Sequence, residues 1–131
     1  RRQRQMCIRD SIFSILLGIV LLLISLQWIF TPKLAAESLN MVFLEEYGRN
    51  TQIRDFTAFF LATSIMSFAS FFTKQYQWIF CAGLIYFLAA VFNVLASINH
   101  DAPIAFSSLV SEIIFCSMAF ISAYLYKSNN L

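Results

Sequence analysis

The sequence predicts an all-α membrane protein, a four-transmembrane-helix bundle with a short interfacial helix between helices one and two. Three observations carry that expectation. Of the 131 residues, 60% are hydrophobic and 12% are charged, whereas soluble domains carry roughly twice that charge. The apolar residues fall into four runs of about twenty, each long enough to cross a bilayer. A length of 131 residues leaves room for one bundle over residues 1–131 and no soluble appendage.

The first run covers residues 11–30, from Ser11 to Phe30, behind Arg1, Arg2, Arg4 and Arg9. The chain opens on Arg rather than Met, which leaves its true start open. A secretory signal would share the basic head, but this run exceeds a typical h-region. The nearest small-x-small candidate, Leu34-Ala35-Ala36, begins on a bulky Leu. The run therefore reads as a span. Ser11, Ser14, Gly18 and Ser25 recur at helical spacing, a stripe that lets helices approach closely in lipid.

Thr31-Pro32 ends that span and is suited to begin the next helix. From Lys33 to Tyr47, Ala35, Leu39, Val42 and Phe43 share one face, with Glu37, Asn40 and Glu45 elsewhere. That pattern predicts a helix lying on the membrane surface, with an ordered loop as the alternative. Gly48-Arg49-Asn50 then breaks it. The second span is expected over residues 55–72, where Asp55, Ala58, Ala62 and Ala69 form a small-residue seam. Thr73-Lys74-Gln75 reads as a tight turn.

The third span, residues 77–98, places Ala82, Tyr86, Ala89, Asn93 and Ala96 on one stripe. Asp101 ahead of Pro103 reads as the cap of the fourth helix, which spans residues 104–126. One face of that helix carries Ala105, Ser108, Glu112, Cys116, Ala119 and Ala123. The four stripes are expected to meet inside, with Phe turned to lipid. Trp28 and Phe30 are expected at one membrane edge, and Tyr76, Trp78, Tyr124 and Tyr126 at the other. Arg1, Arg2, Arg4, Arg9, Lys74 and Lys127 fall on one side and Lys33, Arg49 and Arg54 on the other, so both termini are expected to be cytoplasmic.

Ionisable groups at membrane depth are costly and usually face inward with a partner. Glu112 should lie roughly 12 Å below the outer edge and Asn93 roughly 8 Å below it, from 1.5 Å per residue. Tyr86 is about as deep as Glu112, while Arg54 and Asp55 enter from that edge and His100 stands in the outer turn. Glu112, Arg54, Asp55, Asn93, Tyr86 and His100 are thus the candidate polar pocket, with Arg54 the expected partner of Glu112. Such a cluster either fixes helix register or binds a ligand or protons.

Other chemistry finds little support. Cys7, Cys81 and Cys116 stand apart, without CxxC spacing, and there is one His, so no metal or cofactor is expected. Three Gly provide no phosphate loop. A Ser/His/Asp set from His100, Asp101 and Ser97 or Ser107 would crowd into one turn, so no catalytic residue is assigned. The net charge of +2 is spread over membrane edges and forms no nucleic-acid surface. The expected partners are membrane lipids and the helices of other membrane proteins. The first functional expectation is a non-enzymatic accessory or interaction subunit. The alternative is a binder or carrier of a small amphiphile (lipid or quinone) or of protons, through the Glu112 pocket.

Pro32 after the first span, Asn50-x-x-x-Arg54 opening the second, and Ser97-x-x-x-Asp101-x-Pro103 followed by Glu112 resemble a bacterial domain-of-unknown-function family. Its members are small four-helix inner-membrane proteins, distantly DoxX-like. The resemblance runs along nearly the whole chain on short motifs. Where the family has Arg near the Asn93-Val94 position and Gly after the Asp, this chain has Asn93, Val94 and Ala102. If that Arg pairs the buried Glu, Arg54 must serve Glu112 here, or Glu112 is neutral. The resemblance implies the fold and a bacterial inner membrane, and no reaction.

Overall fold

Each apolar run becomes a helix. The computed structural model describes residues 2–129, with side chains from 11 to 128. Its helices are α1 (Arg2–Phe30), α2 (Pro32–Ser38), α3 (Glu46–Thr73), α4 (Tyr76–His100) and α5 (Phe106–Asn129). α1, α3, α4 and α5 are each long and apolar enough to cross a membrane. With large Ile, Leu and Phe side chains exposed on all four, this is an integral membrane protein.

Successive long helices run antiparallel. α1 packs on α3 and α5, and α4 packs on the same two, so the four make a square with α1 and α4 on one diagonal. The α1/α3 and α4/α5 interfaces are the extensive ones, and the bundle is best seen as two hairpin-like pairs leaning together. Two glycines set the closeness within the pairs. A Cβ on Gly18 would lie 3.1 Å from the Phe68 ring, and one on Gly83 would lie 2.8 Å from the Phe120 ring.

The end that holds both termini is closed by hydroxyl groups. Ser64 donates to the Gly18 carbonyl at 2.7 Å, tying α1 to α3. Ser14 and Tyr126 bond across α1 and α5, and Thr63 and Tyr86 across α3 and α4 at 2.8 Å. Lys74 Nζ reaches Ser11 Oγ at 2.7 Å, while Ser70 Oγ accepts from the Ile79 amide and donates to the Gln75 carbonyl. In lipid no water is at hand to satisfy such groups, and Ser14 and Thr63 also bond back to carbonyls of their own helices.

The α3 face therefore differs from the expected alanine seam. Gln52, Phe60, Thr63, Ser64, Ser67 and Ser70 are buried, whereas Asp55, Ala58 and Ala62 are exposed. Hydroxyls that can bond across or back onto the helix gain more from the interior than Ala does. Trp28, expected at a membrane edge, stands near the end of α1 and turns into the bundle. It is 1% exposed and stacks on Phe56 with centroids 4.9 Å apart and planes 8° from parallel.

The segment between α1 and α3 is a strap (residues 32–45) across the opposite end. Its helix stops after seven residues rather than running to Tyr47, because Asn40 takes a left-handed φ of 59°, a conformation Asn tolerates better than most residues. The chain then extends, and side chains alternate as in a strand. Leu39, Met41 and Phe43 pack on the core while Val42 is 81% exposed, against the shielding expected of Val42 in a helix. Buried Gln52 holds the strap from α3, accepting from the Leu44 amide at 3.0 Å and donating to the Val42 carbonyl at 3.2 Å. Arg49 donates to the Leu44 carbonyl and lies over the Phe43 ring. These contacts pull residues 46–54 into α3, which begins nine residues before the expected start at Asp55.

The α4–α5 turn also differs from expectation. Asp101 caps no helix start; it takes a φ of 57° and closes α4. The start of α5 is held instead by Asn93, whose amide both accepts from the Ala105 N–H (3.2 Å) and donates to the Ala105 carbonyl (3.3 Å).

Candidate functional site

Toward the strap, the two helix pairs part. Above the Thr63–Tyr86 level, no hydrogen bond joins one pair to the other among the described residues. The gap is a half-open cavity of about 750 Å³, within the range that holds a drug-sized or lipid-like molecule.

Its walls follow from the helix faces just described. α1 contributes Ile24, Gln27 and Trp28; α3 contributes Asp55, Phe56, Phe59 and Phe60. On the other side stand Tyr86, Ala89 and Asn93 of α4, with Ala105, Ser108, Ser111, Glu112 and Phe115 of α5. Ser38, Leu39 and Met41 of the strap roof it. Ser38 and Asp55 are exposed and stand where the cavity meets the surface.

The floor is aromatic with a polar rim. Tyr86, 1% exposed, is edge-on to Phe59 at 5.1 Å and to Phe115 at 5.3 Å. Six aromatic side chains line the space in all: Trp28, Phe56, Phe59, Phe60, Tyr86 and Phe115. Glu112 stands about 9 Å into the bundle from the start of α5, six residues along the helix. Its Oε2 is buried without a hydrogen-bond partner; Thr57 Oγ1 is the other such atom among the described residues.

Of the six expected site residues, Glu112, Asp55, Asn93 and Tyr86 line this one cavity, and Arg54 and His100 do not. The expected Arg54–Glu112 pair is absent. The Arg54 guanidinium is spent at the surface, with Nε 3.2 Å from Asp55 Oδ1 and further bonds to Asn50 and Thr51. A side chain at the water edge keeps more solvation there than it would by stretching inward. His100 is exposed at the end of α4. Asn93 has both halves of its amide engaged by Ala105, so its first duty is to position α5.

The aromatic wall was not foreseen. Phe56, Phe59, Phe60 and Phe115 were expected to face lipid, and Trp28 the membrane edge. Only the polar residues at depth marked the place. No protein-family model matches the chain, and no curated protein or solved structure is similar to it.

Proposed function

We propose that this is a non-enzymatic membrane protein that binds a small amphiphile in the cavity between its helix pairs. One observation carries the reading: an aromatic-walled space of about 750 Å³ that runs from exposed Ser38 and Asp55 down to Tyr86 and Glu112. A hydrogen-bond network serving only to fix helix register requires no such space, which is larger than the voids of close-packed interiors. An apolar body would lie against the rings, and a polar head would meet Glu112, Ser108 or Gln27. The accessory-subunit reading lacks a comparable feature, because apolar side chains cover the outer faces of all four spans alike, as lipid alone requires.

Filling the cavity tests this. The protein would be purified in mild detergent, and its bound small molecules identified by native mass spectrometry. Wild type should carry about one amphiphile per chain, and Ala89→Phe, which fills the wall opposite Trp28, should carry none. An empty wild type, or a molecule retained equally by the variant, would refute it.

The orientation belongs to the same proposal. The N-terminal Arg cluster, Lys74 and Lys127 lie at the end holding the termini, which the positive-inside rule places in the cytoplasm. The strap and the cavity mouth then face outward across a plasma membrane, a bacterial one if the family resemblance holds.

A further inference from the structure

We propose that the amphiphile is an organic cation, an apolar body bearing a fixed positive charge that settles beside the Glu112 carboxylate. This rests on the cavity being a binding site and adds the charge of its ligand. Among the residues lining the cavity there is a carboxylate at depth and no Lys, Arg or His. Four of the protein's own cations are engaged elsewhere. Arg54 is held by Asp55, Asn50 and Thr51; Arg49, Lys74 and Lys127 sit over the rings of Phe43, Phe71 and Tyr76. None of them reaches Glu112, whose polar neighbour is the uncharged Asn93 amide and whose Oε2 has no hydrogen bond. The second carboxylate at the cavity, Asp55, already has Arg54 beside it at 3.2 Å.

A carboxyl in such surroundings is either protonated or paired, and an entering fixed cation lets it release its proton and stand as an ion pair, because an ion out of water is tolerable only when paired. The ring-rich wall fits the same class of ligand. The faces of Trp, Tyr and Phe attract cations, and most strongly where water is excluded. Trp28, Tyr86 and Phe115 line the same space as Glu112. An anionic head would meet a like charge with no basic residue to relieve it. A neutral head would leave the carboxylate as it stands.

Three probes of similar size separate these cases: tetraphenylphosphonium, tetraphenylborate and neutral triphenylphosphine oxide. Binding to the purified full chain would be followed by equilibrium dialysis, with wild type, Glu112→Gln and Ala89→Phe compared. The phosphonium should bind wild type saturably and at least tenfold more tightly than the oxide, and the borate should show no saturable binding. Glu112→Gln keeps the shape and loses the charge, and should weaken the phosphonium at least tenfold without weakening the oxide, whose P=O can accept from the new amide. If borate or oxide binds wild type as tightly as the phosphonium, the charge preference is wrong and the amphiphile site stands. The same holds if Glu112→Gln binds the phosphonium like wild type. If no probe binds saturably, or Ala89→Phe binds all of them like wild type, the cavity is no binding site and both proposals fall.

Discussion

The Tyr86 hydroxyl lies 2.8 Å from Thr63 Oγ1, and this bond marks the level at which the closed half of the bundle gives way to the open half. Thr63 also donates to the carbonyls of Phe59 and Phe60, each at 3.0 Å. A hydroxyl has one proton, so Tyr86 is the donor of the pair. The two truncations should then differ. Thr63→Val strands a buried phenol and should cost about 1–3 kcal/mol, whereas Tyr86→Phe leaves Thr63 its carbonyls and should cost about 0.5–1.5 kcal/mol. Thermal unfolding of both variants in one detergent gives the order. The reverse order would contradict the assignment.

Close approach of α4 and α5 depends on Gly83. A methyl there would meet the Phe120 ring at 2.8 Å and the Ala119 Cβ at 3.0 Å. Gly83→Ala should therefore destabilise by about 1–3 kcal/mol, the usual cost of overpacking. Adding Phe120→Leu should restore part of the loss, and no recovery in the double variant would show that the ring is not the obstacle.

The strap is held from below by one amide. With Gln52→Ala, the Leu44 N–H loses its acceptor, worth about 1 kcal/mol and hence roughly fivefold in local opening. Hydrogen exchange at Leu44 should speed up by that factor while exchange in α4 stays the same. Unchanged protection at Leu44 would mean that Arg49 and the apolar contacts hold the strap without Gln52.

Sidedness is open to labelling. Glu45 and Ser128 are exposed at opposite ends of the bundle. A membrane-impermeant thiol reagent applied to intact cells, on a background without native cysteines, should modify Glu45→Cys and spare Ser128→Cys. Modification of Ser128→Cys alone would invert the orientation.

Much of this architecture is written locally in the chain, and the cavity is not. The α1 seam of Ser11, Ser14, Gly18 and Ser25 could be read directly, because small residues at helical spacing have one good use in lipid. The four spans were legible from length and hydropathy. On α3 the same rule misleads, since Ala58 and Ala62 are as small as Ser64, and only the distant partners, Gly18 for Ser64 and Tyr86 for Thr63, decide between the faces. The inward turn of Trp28 is illegible for a related reason. A tryptophan near a helix end suits the interface equally well until Phe56 is known to stack on it. Glu112 and Tyr86 announced the site as polar groups at depth. Its walls could not be read, because a cavity is made by how far two helix pairs part above Thr63 and Tyr86, and no single helix encodes that separation.

Trp28 in the cavity wall and Trp78, 45% exposed on the outer surface, are the only tryptophans, and they allow the most direct test of an interior binding space. Single-tryptophan forms, Trp78→Phe and Trp28→Phe, would be titrated with a neutral brominated long-chain alcohol while fluorescence is recorded. Trp28 should be quenched saturably, and that quenching should disappear with Ala89→Phe. Trp78 should be quenched in proportion to the alcohol present, without saturation. Trp28 quenching that never saturates, or that survives Ala89→Phe, would show that the space between the helix pairs takes up no ligand.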